Sequence, residues 1–357
     1  MKWIALLLVV LSAMSSAAAL DTLEIPTELE RLLPDTIEPY SIEEFLRDPS
    51  AEKVLSTLWQ YLWKEVRLHA RLMGQIILVA AIAAVLKEIG TSLSKAAAEA
   101  GFLATYLMLV LLVVASLKEA ANLTTSTIVL LASAVQVAVP LVGLFLAAGG
   151  ELVTNATLSP LILGLTAVVS VVVQRVVMPF ALASGAIGLA SSVAEKPRLL
   201  RLSGFFRWLG TLTLGFVNAV FFGLITSLGL GSAAQDSLAL RTAKWLMGTV
   251  PVVGGQIAGT TDLLQASTRA IQSAASTVGL LFVFFATLFP VLRLAALVLA
   301  YKLTTAVVEA VAETRFVSAL ETMEKTLTFF LGLIVLTAVM FYIGLGTLAA
   351  LGALILR

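Results

Sequence analysis

The chain of 357 residues contains no cysteine, a single histidine and few charges, and each shortage excludes a class of function. Without cysteine there is no disulfide, no thiolate nucleophile and no cysteine-based metal site. His69 stands alone, so we interpret it as a surface or interface residue, because metal and catalytic sites need clusters. The motifs of zinc hydrolases, serine hydrolases, P-loop proteins and dinucleotide-binding proteins are missing as well. We therefore predict neither an enzyme nor a cofactor-dependent protein.

Charged residues make up 13% of the chain, whereas apolar residues make up 59% and the mean hydropathy is +1.02. A soluble domain carries about 25% charged residues. The net charge of +1 gives no indication of nucleic-acid binding. We predict an all-α polytopic membrane protein with about six to seven transmembrane helices, one or two re-entrant segments and interfacial amphipathic helices. The apolar runs cover residues 72–86, 100–117, 127–148, 161–190, 209–230, 278–300 and 327–348.

The N-terminal region has the pattern of a secretory signal followed by an acidic segment. Lys2 precedes a short apolar run, and Ala17 and Ala19 fit a cleavage site, so we predict a signal peptide over residues 1–19. A retained first transmembrane helix remains the alternative. Residues 21–52 contain ten acidic residues but only two bases, which favours an extracytoplasmic segment over residues 20–71. It is either an interfacial helix or a docking face for a partner, and residues 72–126 form the first transmembrane pair.

Prolines and glycines recur at a constant offset of 111 residues in the second half of the chain. The matched pairs are Pro140 with Pro251, Pro179 with Pro290, and Gly143 with Gly254. We predict a diverged internal repeat with one unit over residues 127–230 and the other over 231–357, where residues 238–341 match the first. Repeats of this kind are common in transporter folds.

The proline-glycine stretches of the two units predict breaks in membrane helices. A proline removes a backbone donor, and an unpaired backbone group costs several kcal/mol in lipid. The stretches with Pro140 and Gly143, and with Pro251, Gly254, Gly255 and Gln256, therefore line a cavity or a close helix contact. A plain interhelical loop is the alternative reading of the second stretch.

Basic residues set the predicted topology. A cluster of four bases between two apolar runs should lie inside, and it consists of Lys196, Arg198, Arg201 and Arg207. The basic cluster lies inside if the two broken stretches are re-entrant. This topology has six crossings and an external C-terminus. Residues 127–148 are long enough to cross outright, which would change the count. Residues 195–208 also predict an interfacial amphipathic helix that binds anionic lipid headgroups.

Two arginines lie inside apolar runs, close to the prolines of the two repeat units. Arg175 comes four residues before Pro179, and Arg293 three residues after Pro290. An ionisable residue within the membrane is a functional candidate. These side chains face a polar pathway, pair with acids such as Asp236 or Asp262, or extend to the membrane surface.

One block gives the chain a family resemblance. Residues 241–264, RTAKWLMGTVPVVGGQIAGTTDLL, resemble the stage III sporulation protein AE family of endospore-forming bacteria, and so do residues 176–209 and 288–311. Arg241, Lys244, Pro251, Gly254 and Gly255 match the family motif. The resemblance carries over no catalytic residue.

The resemblance implies a component of the A–Q channel or secretion-like complex that joins mother cell and forespore. It implies a location in the mother-cell membrane around the forespore, with the AA–AH proteins and the forespore protein Q as partners and with support of late forespore development as the role. Two other hypotheses remain. One is a stand-alone secondary transporter of a small solute, which the repeat and the breaks favour, and the other is a membrane scaffold that only assembles partners.

Overall fold

The computed structural model describes residues 51–90, 95–148, 152–194, 197–227 and 274–355, and within these ranges the chain is helical apart from one short connection. The described residues do not include the predicted signal peptide, the acidic segment up to residue 50, Lys196, or the second proline-glycine stretch with Arg241 and Lys244. The helices are α1 (Ala51–Gly90), α2 (Lys95–Ala148), α3 (Leu152–Val172), a π-helical turn (Val173–Val177), α4 (Met178–Ala194), α5 (Pro197–Ser227), α6 (Ala274–Glu309) and α7 (Thr314–Ile355).

Six segments of the described chain are long and apolar enough to cross a membrane. The predicted all-helical membrane fold is thus confirmed, whereas the re-entrant segments and the repeat stay predictions. The candidate spans are Trp59–Ile89, Glu99–Pro140, Ser159–Ser192, Arg198–Ser227, Ala286–Glu309 and Thr314–Thr347. The third of them combines α3, the π-helical turn and α4 into one span.

Helix α7 forms the centre of the bundle. Its charged residues are confined to the first turns, and after Lys325 it is apolar on every face, which is typical of a buried helix. It packs against α6, α2 and α4 and makes smaller contacts with α3 and α5. Phe316, Phe330 and Phe341 are almost fully buried along its length. The most buried of the six candidate spans is therefore the one that takes the central position in the bundle.

Helices α1, α2 and α6 form one side of the bundle, while α4 and α5 form another. Tyr61 of α1 meets Phe289 of α6 near one end, and Lys87 pairs with Glu313 beyond the end of α6 at 3.7 Å, so α1 and α6 run parallel. Helices α1, α4 and α6 end, and α5 begins, at the level of the connection between α6 and α7, because Gly188 lies against both Thr322 and Ser203. This arrangement agrees with six alternating crossings.

The first predicted break is wrong, because α2 continues without interruption through Pro140 and Gly143 to Ala148. Residues 100–117 and 127–148 are two parts of this one helix of 54 residues, about 81 Å long. Pro140 removes one hydrogen bond, but Ala138 and Val139 just before it are fully buried. Packing of the residues that precede the proline thus outweighs a local preference to end the helix. Helix α3 then packs back against α2.

The predicted interfacial helix also differs from the structure. Residues 195–208 do not form a separate helix, because the helical residues from Pro197 onward are the first third of α5. The helix enters the apolar region without a break, since no helix-ending residue separates its amphipathic turns from its apolar turns.

The topology is testable with single cysteines, because the natural chain has none. In right-side-out membrane vesicles, we expect a membrane-impermeant maleimide to label Gln60→Cys directly and Arg198→Cys only after permeabilisation. Both positions are exposed, whereas Leu294→Cys is buried and serves as the unlabelled control. Direct labelling of Arg198→Cys in sealed vesicles would reverse the orientation of α5.

Candidate functional site: a charged cluster on three spans

Helices α1, α2 and α6 bring together five polar residues that are far apart in the sequence: Tyr61, Glu65, His69, Glu119 and Arg293. Arg293 Nη2 donates a hydrogen bond to Glu119 Oε1 at 3.1 Å. His69 lies within electrostatic range of Glu65, Glu119 and Arg293. We call these five residues the charged cluster. All of them lie inside candidate spans.

Helical spacing on α1 supplies three members of the cluster. Tyr61, Glu65 and His69 follow one another at intervals of four residues, so they share one face of the helix. Glu65 is buried and faces the hydroxyl group of Tyr61. The Tyr61 ring packs edge-on against Phe289, with 5.0 Å between ring centroids. This contact holds the polar turns of α1 against α6, immediately before Pro290 and Arg293.

The Glu119–Arg293 ion pair is only partly covered by the part of the chain that the structure describes. The Glu119 side chain is 59% exposed and the Arg293 side chain 43% exposed. On the exposed side of α1, Lys64, Arg67 and Arg71 make no ion pair with any described residue. We refer to the exposed charges of the three spans, Lys64, Arg67, Arg71, Glu119 and Arg293, as the charged surface. Charged side chains inside spans face water or other protein rather than acyl chains.

Exposed aromatic side chains lie beside the charged surface. Trp59 is 60% exposed and Trp63 44% exposed, and their rings meet edge-on with centroids 5.9 Å apart. Arg67 Nε donates to the carbonyl oxygen of Trp63 at 3.4 Å. Together with Gln60, Tyr61 and Lys64 these residues border a shallow, open depression on the surface of α1. Tryptophan and arginine are the residues most enriched at the centres of protein interfaces.

Pairing with an acid was one of the three alternatives for Arg293, and the structure pairs it with Glu119. Asp236 and Asp262, the acids named as examples, lie outside the described residues. Sequence reasoning missed Glu119 because it assigned Lys118 and Glu119 to the gap between two apolar runs. The apolar residues on both sides of the pair were the available signal that the helix continues.

Pro179 produces a π-helical turn beside Arg175. Proline has no N–H, so the carbonyl group of Arg175 loses its α-helical partner. The chain responds with five π-helical residues, in which the N–H of Met178 bonds to the carbonyl oxygen of Val173. Gln174 Nε2 donates to Ser170 Oγ at 2.7 Å. Arg175 is exposed and has no ion pair among the described residues. The turn also packs against α5, on another side of the bundle from α1.

Positions related by the predicted repeat have different surroundings. Pro179 lies next to the π-helical turn, whereas Pro290 is accommodated within the continuous helix α6. Phe205 and Phe316, also 111 residues apart, are half-exposed and fully buried, respectively. Both prolines nevertheless lie in a helix that packs against the next helix in the chain: Pro179 in α4, which packs against α5, and Pro290 in α6, which packs against α7. The repeat therefore remains a prediction from the sequence, since the matched residues do not have matching surroundings in the structure.

The predicted basic cluster is divided between two faces of α5. Arg198 and Arg201 are exposed, whereas Arg207 is half-buried and its Nε atom has no hydrogen-bond partner among the described residues. The packed face of α5 meets α4, where Ser203 Oγ donates to the carbonyl oxygen of Ser184 at 2.7 Å. No group of three or more histidine or acidic residues within the described ranges could hold a metal ion.

Comparison with known proteins gives one consistent result. Residues 42–352 match the family model described as stage III sporulation protein AE. The chain is 25% identical over 336 residues to stage III sporulation protein AE of Bacillus subtilis (strain 168), which covers 93% of this chain and 84% of that relative. No solved structure matches the chain.

Proposed function

Because the chain belongs to the stage III sporulation protein AE family, we propose that it is an integral membrane component of the A–Q channel complex between mother cell and forespore. Family membership carries a role in sporulation, and the six candidate spans indicate a multi-pass membrane protein. In the proposal, the protein resides in the mother-cell membrane around the forespore. Its partners are the AA–AH proteins and the forespore protein Q, and its role is to support late forespore development.

The observation that carries this proposal is the charged surface together with Trp59 and Trp63. A carrier that works alone turns its membrane charges toward its own interior. Here Arg293 and Glu119 pair with each other, yet each side chain stays about half exposed. A neighbouring subunit or the water of a conduit would satisfy these groups, and both are features of a channel complex. We expect the protein to act without catalysis and without a cofactor.

A stand-alone secondary transporter is the second candidate, and the π-helical turn at Pro179 favours it. Interrupted helices place backbone groups near substrate in many transporters. Gln174 and Arg175 lie in this turn and would be the polar groups available to a solute. The two candidates differ in whether the chain needs other proteins for its activity.

Purification from sporulating cells tests the proposal. We expect a tagged chain in mild detergent to carry the AA–AH proteins with it. The double variant Trp59→Ala/Arg67→Glu should lose them, because it removes an exposed aromatic anchor and reverses one charge beside it. The matched control is Leu78→Ala/Ile82→Ala, which changes exposed apolar residues farther along the same helix. Recovery of the wild-type chain alone, with solute uptake in proteoliposomes that contain nothing else, would support the transporter instead.

A further inference from the structure

The exposed face of α5 changes from basic to aromatic to aliphatic along a single stripe. Six side chains at intervals of three or four residues share this face, and they are Arg198, Arg201, Phe205, Trp208, Leu212 and Phe216. All six are exposed, and Phe216 reaches 64%. We call them the α5 stripe. Because α5 is one continuous helix, the stripe is a fixed surface that enters the apolar region with the span.

The basic end of the α5 stripe is free to bind an anion. Arg198 and Arg201 make no ion pair with any described residue. They are one turn apart, so their guanidinium groups can approach the same ligand. Arg207 lies on the opposite, packed face and does not neutralise or extend this pair. Two adjacent guanidinium groups match the planar, multiple hydrogen bonding that phosphate groups accept.

The apolar part of the α5 stripe has the dimensions of one membrane leaflet. Phe205 and Trp208 stack with ring centroids 6.1 Å apart, directly below the two bases. Aromatic side chains of this kind concentrate where headgroups meet hydrocarbon. From Phe205 to Phe216 the helix rises about 16 Å, which is close to half of a 30 Å hydrocarbon core. Beyond it, Val220 and Leu224 continue the exposed apolar surface.

From this arrangement we infer that the α5 stripe binds an anionic phospholipid. The phosphate group lies between Arg198 and Arg201, and the acyl chains follow Trp208, Leu212 and Phe216. An acidic protein surface would match the two arginines but not the long aliphatic continuation of the stripe, which needs apolar contact along a full leaflet. The site is independent of the charged cluster, because it lies on a helix that packs mainly against α4.

Lipid titration of the purified full chain tests the inference. We expect phosphatidylglycerol, added to the protein in detergent and followed by native mass spectrometry, to bind more tightly than phosphatidylcholine. In Arg198→Gln/Arg201→Gln the affinity for phosphatidylglycerol should fall about thirtyfold, toward that for phosphatidylcholine. Trp208→Ala should weaken both lipids, because it removes apolar contact rather than charge.

Two controls test whether a loss of lipid binding comes from this site rather than from a general change in charge or from unfolding. Lys325→Gln removes a base that already pairs with Glu321 at 2.8 Å, and it should leave lipid binding unchanged. If the glutamine variant proves unstable, Arg198→Lys/Arg201→Lys takes its place. This variant keeps both charges, so we expect it to retain part of the preference for phosphatidylglycerol. Equal affinity of wild type and Arg198→Gln/Arg201→Gln for phosphatidylglycerol would overturn the inference. So would loss of a co-purifying protein in that variant with lipid binding intact, since the stripe would then be a protein interface.

Discussion

We expect Arg293→Glu to abolish sporulation while the protein still accumulates in the membrane. The substitution places a second carboxylate beside Glu119, on α2, in the position of a group that now hydrogen-bonds to it at 3.1 Å. Where a partner subunit excludes water from such a pair, losing one member costs on the order of 3 kcal/mol, about a hundredfold in an equilibrium. If solvent reaches the pair freely, the cost is below about 1 kcal/mol. The count of heat-resistant spores, normalised to protein level, therefore reports whether the ion pair is covered in the assembly.

The charge-swapped chain provides the internal control for this experiment. Glu119→Arg combined with Arg293→Glu restores an ion pair in the opposite orientation, so we expect it to recover a large part of the lost spores. Arg175→Glu is the matched single reversal, because Arg175 is exposed within a span but has no ion pair among the described residues. Normal spore counts in Arg293→Glu would show that the charged surface has no role in the function. An equal loss of heat-resistant spores in Arg175→Glu would indicate that the π-helical turn also contributes to the function.

The second large effect is expected at Gly188, in the contact between α4 and α7. A Cβ atom at this position would clash with Thr322 Cγ2 and lie 3.0 Å from Ser203 Oγ. Both neighbours are on buried faces, so α4 must move away from α7 and α5 to admit a side chain. Overpacking of this kind costs about 1–3 kcal/mol for small additions and more for branched ones. We expect Gly188→Val to lower the melting temperature strongly and to reduce the amount of folded protein.

A compensating variant and a neutral glycine make this result interpretable. Thr322→Ala removes the methyl group nearest to the new side chain, so Gly188→Ala/Thr322→Ala should be more stable than Gly188→Ala alone. Gly204 on α5 has no heavy atom within 4 Å of its ideal Cβ position. Gly204→Ala should therefore be neutral or stabilise the helix by up to about 1 kcal/mol. Thermal unfolding in detergent compares these variants and Gly188→Val with the wild-type chain. Equal stability of Gly188→Ala and Gly204→Ala would contradict the close packing at Gly188.

The distribution of apolar residues was sufficient to predict the helical membrane class, since the length of a hydrocarbon core sets the length of a span. It was not sufficient to predict where helices end. Pro140 and Gly143 look like a break in the sequence, but α2 continues through them because Val135, Ala138 and Val139 are buried against other helices. A proline costs about 3 kcal/mol within a helix. Packing of the residues before the proline offsets that cost, and no local pattern in the sequence reveals that packing.

The sequence by itself determined the all-helical membrane class and the family, because composition, run length and a specific block such as residues 241–264 are properties of the chain read in one dimension. It also singled out Arg293 as an unusual charge near Pro290. Only the tertiary structure decided that Glu119 is its partner, that His69 and Glu65 join them, and that Arg198 and Arg201 share a face without Arg207. The periodicity of a helix tells which of its residues lie on one side, but not which distant helix packs there. That choice depends on the packing of the whole bundle around α7.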